Sequence, residues 1–357
     1  MSALTPEGIE RAVRQGETIH RVGLQGLDFR GRTLAGGCFI DVDFTGACFS
    51  GCDLHETRFS NCGLRGSDFS GATLRETLFN TCVMTGALFT SSDLYQVLFN
   101  HCQLEESQFG HSAQIGTQFL GGSLADSDFR GAGLQGCAFS DMAQLTIQLD
   151  ASWCEQCAFM ASDMRQASFS EARFSLTTFL DCDLRQQRLA GVHFSQCQFT
   201  GSNLAEASLQ QATLSQCNLS AVSLRQANLT HLSAAQTLFN GADLTGSDCR
   251  DGNFSQANFA DAELSGCDFT QGNLQRAVLM RCRAAQTRFD GCDLRWADCS
   301  HAQLEEAQFR DARFSHTLFH RAATESSLFT SRHGIVKRDE ALFAAEEWSR
   351  SRRNQAG

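Results

Sequence analysis

Between residues 44 and 69 the chain reads FTGACFSGCDLHETRFSNCGLRGSDF, with Phe44, Phe49, Leu54, Phe59, Leu64 and Phe69 spaced five apart. The same register runs backwards to Leu24 and forwards to Phe329, 62 consecutive positions without insertion or deletion. Only Gln114, Gln144, Cys154, Ala234, Cys249, Ala284, Cys299 and Thr324 depart from a large apolar residue at these centres. Of the 29 phenylalanines, 28 lie in register and Phe343 alone does not. Repetition at a fixed period defines a solenoid before any single motif is weighed.

Two residues before each centre stands a smaller residue, as in Ala47, Cys52, Thr57, Cys62, Ser67 and Ala72. Asp or Asn is frequent between the two (Asp53, Asp68, Asn203, Asn228), and glycine is frequent two residues after the centre (Gly26, Gly31, Gly46, Gly66). A period of five fits neither the 3.6 of a helix nor the 2.0 of a strand, but a short extended piece plus a corner accommodates it. In extended chain, residues two apart share a side. The small residue and the Leu or Phe therefore point inward together, and Gly or a polar residue makes the corner. Leu predominates at centres ending in 4 and Phe at those ending in 9, so opposite sides of a square coil match.

This pattern resembles the pentapeptide-repeat family, whose unit is written A(D/N)LXX; SNLAE at 202–206 and ADLTG at 242–246 are close copies. The resemblance implies an all-β solenoid: a right-handed, four-sided parallel β-helix of about 15 coils, with 20 residues per coil. It divides the chain into an N-terminal helical cap (1–20), the repeat β-helix (21–330) and a C-terminal helix with a basic tail (331–357).

Open coil ends expose unpaired strand edges and need covers. At the front, LTPEGIERAVRQG (4–16) offers Thr5 as N-cap, Pro6 at the first helical position and Glu7 in the first turn, a helix over about 6–15. With GETIHRVGLQGLDFRG (16–31) it resembles the entry segment of pentapeptide-repeat proteins associated with type VI secretion. At the back a helix from about Asp339 carries Leu342, Ala345 and Trp348 on one side, with Phe343 beside them; it reads as a plug over the last coil or as a dimerisation helix.

Composition removes several function classes. A net charge of −11, with Lys337 the only lysine, argues against wrapping free nucleic acid. No run of about 18 apolar residues exists and the N-terminus lacks a signal pattern, so the expectation is a bacterial cytoplasmic protein, with export by a signal-less route as the other option. Neither a phosphate-binding G-x-x-x-x-G-K-[ST] loop nor a Ser/His/Asp arrangement is suggested, and the ten histidines look scattered. A rod without loop insertions is expected to offer no substrate pocket, hence no enzyme, no cofactor and no metal. Cys154 and Cys157 in SWCEQCAF (152–159) have a metal-like spacing, yet they are two consecutive inward slots. Of the 17 cysteines, only Cys38 and Cys48 are expected to face outward; the rest fill the core as small hydrophobes.

Fixed register assigns every outward residue to a wall. The wall through Phe39, Phe59 and Phe79 carries Ile40, Leu78, Leu98, Leu120, Met160, Leu180, Leu238, Val278, Met280 and Leu318, with only Arg58 and Asp298 charged. The other three walls carry one or two such aliphatics each, and eight, thirteen and thirteen charges. An uncharged apolar strip of this kind reads as an interface, either with a second copy or with another protein. Tyr95, Ile115 and Trp153 are expected to extend it around one corner. Beside it, Glu76, Glu105, Glu106, Asp126, Asp141, Asp150 and Glu155 form an acidic band. Some members of the family mimic DNA and occupy the saddle of a type II topoisomerase, so a gyrase-directed mimic is the alternative to a rigid interaction scaffold serving, for example, a secretion system. Finally, Gln144 and Cys154 at centres suggest a loosened coil near 144–154, with Leu145, Trp153 and Met160 pointing outward.

Overall fold

The computed structural model describes residues 5–142 and 145–355. The chain divides into two compact units, Met1–Asn203 and Leu204–Gly357, and each is a parallel β-solenoid. In the first unit one wall is a nine-stranded parallel sheet made of Thr18–His20, Cys38–Ile40, Arg58–Ser60, Leu78–Asn80, Leu98–Asn100, Gln118–Leu120, Ala138–Ser140, Ala158–Met160 and Thr178–Leu180. Each strand is displaced twenty residues from the next, as in Phe39 beside Phe59 and Phe59 beside Phe79. The adjoining wall stacks Asp93–Tyr95, Ala113–Ile115, Gly133–Gln135, Trp153–Glu155, Arg173–Ser175 and His193–Ser195 in the same way. The second unit is tied by single bridges of the same twenty-residue register, such as Ser208 to Asn228 and Asn253 to Asn273.

The repeat explains this backbone. A centre's N–H donates to the carbonyl nineteen residues on (Leu64 to Val83, 2.7 Å), and the small residue's N–H closes the corner onto the preceding centre (Ala47 to Phe44, 2.8 Å). Corners take a left-handed conformation. Glycine adopts it freely at Gly66, and Glu, Gln, Asp, His and Arg adopt it at other corners, with φ between 50° and 62°. Small-slot hydroxyls add a further tie: Thr57 Oγ1 donates to Leu34 O and Ser67 Oγ to Phe44 O, both at 3.0 Å.

Inside the first unit most of the phenylalanines form two columns, with Phe174 and Phe194 stacked on a third wall. Phe69, Phe89, Phe109 and Phe129 stack at 5.0, 4.7 and 4.6 Å, and Phe79, Phe99, Phe119 and Phe139 at 5.1, 5.0 and 4.9 Å. The columns meet edge to face, Phe109 to Phe119 at 5.6 Å and 89°, an arrangement the ring quadrupole favours. This matches the expected pairing of opposite sides.

The ends and one coil differ from expectation. Helix α1 (Pro6–Arg14) is capped by Thr5 and buries Ile9 and Val13. The solenoid already begins at Thr18–His20, inside the segment expected to be cap, and Arg32 ties it to Glu7 and Glu10 of α1. At the far end pairing continues past residue 330, because Ile335–Val336 adds to Thr317–Leu318. Gly334, at φ 87°, lies so close to Phe314 O that a Cβ there would come to 2.3 Å. The expectation for Leu145 fails: it is buried, and its N–H reaches Asp163 O, eighteen residues on rather than nineteen. The chain slips by one residue so that Leu145 enters the core, and Thr146 Oγ1 accepts the Asp126 N–H. Gln144 itself lies outside the described residues.

Replacing Phe109 by Ala removes a ring stacked on both sides and is expected to cost about 3–5 kcal/mol in urea unfolding. A loss below about 1 kcal/mol would show that the columns do not carry the first unit.

Candidate protein-interaction surface

The nine-stranded wall of the first unit presents Ile40, Leu78, Leu98, Leu120, Met160 and Leu180 outward. Ile40 is 37% exposed and the others are half-buried, because each leans on its neighbours one coil away: Leu78 lies opposite Leu98 and Met160 opposite Leu180. The polar members of the ladder satisfy one another, Asn100 Nδ2 donating to Asn80 Oδ1 at 2.7 Å. From Cys38 to Leu180 the only ionic side chain on this wall is Arg58. In the second unit the same register places Leu238, Val278, Met280 and Leu318, with Leu238 exposed and the others half-buried.

Around the corner Tyr95 and Ile115 stand side by side on adjacent coils; Ile115 is 44% exposed and Arg75 lies 4.9 Å over the Tyr95 ring. Trp153 does not join them. It occupies the far flank of that wall, 44% exposed, over Gly133 and beside Arg173. Leu176, which the sequence reading missed, does extend the apolar surface. It is exposed at the corner leading into Thr178–Leu180. A leucine at a position normally held by glycine or a polar residue was its signal.

The acids behave differently from one another. Glu106 and Asp126 occupy one corner on successive coils, with Glu105 beside them accepting from Thr85 Oγ1. Glu76 and Asp141 sit at other corners, and Glu155 accepts from Gln135. Asp150 is engaged by Ser168 Oγ and the Ser170 N–H. The band therefore surrounds the coil instead of lining one face. Six arginines, Arg30, Arg130, Arg165, Arg185, Arg250 and Arg295, are neutralised within their own repeat. In Asp-x-Arg units such as 128–130 and 183–185, the aspartate accepts the backbone N–H and the guanidinium of the arginine. In the first such unit the Arg30 guanidinium and backbone N–H hold Asp28 down at about 2.

Cys154, Cys157 and thirteen further cysteines are buried, while Cys38 and Cys48 are half-buried. The small-slot thiols act as weak hydroxyls: Cys157 Sγ donates to Leu134 O and Cys182 Sγ to Phe159 O. Burial pushes Cys52, Cys267 and Cys282 up to about 12, which suppresses the reactive thiolate.

Helix α2 (Glu340–Gln355) packs against its own solenoid, but not through the expected side. Ala345 and Trp348 are exposed, Trp348 at 58% with Arg352 stacked 4.2 Å from its ring. Leu342, Phe343 and Glu346 face inward. Phe343 is covered by Arg338 at 3.7 Å, and Glu346 meets His301 Nε2 at 2.7 Å, His320 Nε2 at 3.4 Å and Arg321 Nε at 2.8 Å. The histidines are thus not all scattered: His301, His320 and Glu346 have the geometry of a metal-ligand trio. Its proton pattern argues for a latch instead. Nδ1 of buried His320 accepts the Asp339 N–H, which leaves the ring proton on Nε2 facing Glu346, and Arg321 already holds that carboxylate.

With this geometry established, the family assignment follows. The family model for the pentapeptide repeat region matches residues 33–109, 187–258 and 252–329, more than half of the chain. The chain belongs to the pentapeptide-repeat family. Similar solved structures include QnrB1, a plasmid-mediated fluoroquinolone resistance protein (19% identity, 54% of this chain and 96% of that one, TM-score 0.31). Another is HetL of the cyanobacterium Nostoc sp. strain PCC 7120, involved in heterocyst differentiation regulation (21% identity, 76% and 93%, TM-score 0.20). A search of the curated proteins finds no match in sequence. No described helix is long and apolar enough to cross a membrane.

In the native protein an aromatic disulfide reagent is expected to titrate at most Cys38 and Cys48, the remaining thiols reacting only after unfolding; rapid reaction at Cys154 or Cys157 would restore a redox reading. Burial works to raise the Glu346 carboxyl, but the bonds from His301 and His320 and the Arg321 charge outweigh it and hold it below its usual 4.5. A lowered carboxyl contributes docking energy above the unfolded value and loses it as pH falls through the folded one. The protection of the α2 amides, with exchange corrected for its intrinsic pH dependence, should therefore fall below about pH 4.5, and Glu346→Gln should show the low protection at neutral pH. Undiminished protection in that variant would remove the latch.

Proposed function

We propose that this protein is a non-enzymatic interaction scaffold that docks another protein through the apolar wall of its first unit. The observation that carries the reading is the contrast between walls: eight parallel strands from Cys38 to Leu180 present an aliphatic ladder with Arg58 as its only ionic side chain, while Asp-x-Arg pairs populate other walls. A paired sheet face of this kind is rigid before binding, so a partner meets little ordering cost. A second copy of the chain is the other occupant such a face accepts. The secretion-like lead-in supports a role as adaptor or cargo of a bacterial export system. The second reading, an acidic DNA mimic acting on a gyrase-like enzyme, rests on Glu105, Glu106 and Asp126 at one corner.

The double change Leu120→Glu with Leu180→Glu is expected to abolish partner capture or self-association, read by pull-down and light scattering, with the circular dichroism of the solenoid retained. Unchanged association would reject the wall. Inhibition of gyrase supercoiling at micromolar protein, lost on charge reversal of Glu105, Glu106 and Asp126, would favour the mimic instead.

A further inference from the structure

The smooth-rod expectation also fails on the side of the first unit opposite the apolar wall. There a cleft of about 720 Å3 opens between residues 165–170 and 185–190, lined by Asp150, Arg165, Ser168, Ser170, Arg185 and Arg188 among others. Its cause is one residue. From 37 to 327 Gln187 is the only carboxamide in the small inward column, and it is 4% exposed. Leucine fits the same slot at Leu232 with the ladder intact, but a buried carboxamide needs hydrogen-bond partners, so the Gln187 side chain lies between two coils. Its Nε2 donates to Met164 O and to Ala167 O, both at 2.7 Å, and its Oε1 accepts the Arg188 N–H at 2.6 Å. Elsewhere the residue after the small slot donates its N–H directly across the coil, as Asp183 does to Ser162 O. Gln187 inserts an amide into that link.

The inserted amide parts the ladder beside it. The neighbouring coil positions Met164 and Leu184 keep their bonds, to Asp183 O and Asn203 O, and so do Leu176 and Phe179 further along. At Gln166, Phe169 and Glu171 the N–H has no acceptor among the described residues, and the carbonyls nineteen residues on, at Arg185, Arg188 and Ala190, lose the corresponding donor. Ser168 bridges Gln148 on one side but not Arg188 on the other. Backbone groups of a strand are seldom left unmet. The edge chemistry of the cleft is also asymmetric in charge: Arg165 and Arg185 are held by Asp163 and Asp183 at 2.7 and 2.6 Å, whereas exposed Arg188 has no ion pair among the described residues.

We propose that this cleft is a binding site for a short extended peptide segment carrying an acidic side chain. The segment completes the parted ladder. Its carbonyls accept from the Phe169 and Glu171 N–H groups, its N–H groups donate to the carbonyls of Arg188 and Ala190, and its carboxylate meets Arg188. The Gln187 carboxamide, bonded on both sides, already occupies the place of one peptide group of such a strand. Addition of a strand to unmet backbone is a general recognition mode in which main-chain bonds supply affinity and a side-chain pocket supplies selectivity. The site lies on the wall facing away from the apolar one, so it stands independently of the docking reading above.

The test uses the full chain and three probes: acetyl-(Val-Glu)3-amide, acetyl-(Val-Lys)3-amide and inorganic phosphate. The glutamate peptide is expected to bind at least about tenfold tighter than the lysine peptide and to slow hydrogen exchange at Phe169 and Glu171. Gln187→Ser places a hydroxyl that can reach Met164 O as Ser202 reaches Phe179 O; it should close the cleft, raise Tm and weaken the peptide at least about tenfold. Arg188→Glu, a surface change, should reverse the charge preference while leaving Tm unchanged. Failure of the glutamate peptide to bind, or unchanged binding in Gln187→Ser, overturns the proposal. Phosphate protecting the same amides and displacing the peptide at equal concentration overturns it too, in favour of a simple anion site.

Discussion

Every coil of this protein depends on one hydrogen-bond relation, the N–H of a centre meeting the carbonyl nineteen residues further along. The relation is parallel, so the distance between coils is fixed by backbone geometry at about 4.8 Å and side chains must conform to it. That spacing stacks the phenylalanine rings at 4.6–5.5 Å and suits them to offset contact. The same spacing favours a small second inward residue, and where that residue carries a hydroxyl or thiol it reaches a carbonyl of the neighbouring coil, as Thr57 and Cys182 do. Corners must turn sharply within it, and the chain accepts left-handed φ even at glutamate and arginine to do so. Such corners are individually strained; they persist because ladder bonds on both sides leave no alternative.

Where a side chain violates the limit, the response depends on which position is wrong. At 145 the register shifts by one residue: Leu145 enters the core, and Thr146 offers its hydroxyl as acceptor to the Asp126 N–H. A polar centre can be retained, as at Gln114. It stays fully buried with Nε2 on Ser112 Oγ, and its Oε1 has no partner among the described residues. Size alone is tolerated in the small slot, since Leu232 is buried there with its ladder bonds intact, but a carboxamide must find partners for its donors and acceptor, and the backbone of the adjacent coil supplies them. Gln187 therefore parts the coils.

This explains what could be read from the residues. The five-residue period named the fold, the inward and outward assignments, the two phenylalanine columns and the cysteine burial, because all of them follow from register alone. The apolar wall was legible for the same reason. Trp153 was misplaced because assignment to a wall does not distinguish its two flanks, and Tyr95 and Ile115 occupy the other one. The α2 side was misjudged because hydrophobicity pointed to Trp348, whereas an ionic group, Glu346, makes the contact with His301, His320 and Arg321. Those partners come from two different repeats, and no periodicity links them to the helix. Leu145 and Gln187 were misread or passed over because a repeat suggests regularity at the places where its own geometry fails.

The two surfaces of the first unit then follow from opposite treatments of the same ladder. On the apolar wall the backbone is fully paired strand after strand, so its only free chemistry is the outward aliphatic row, and recognition there must come from side-chain burial. On the opposite side the pairing is interrupted at 166–171, so main-chain donors and acceptors become available and recognition can come from the backbone itself. A solenoid whose ladder were perfect everywhere would offer only the first kind of surface. One carboxamide in a slot sized for serine is sufficient to add the second.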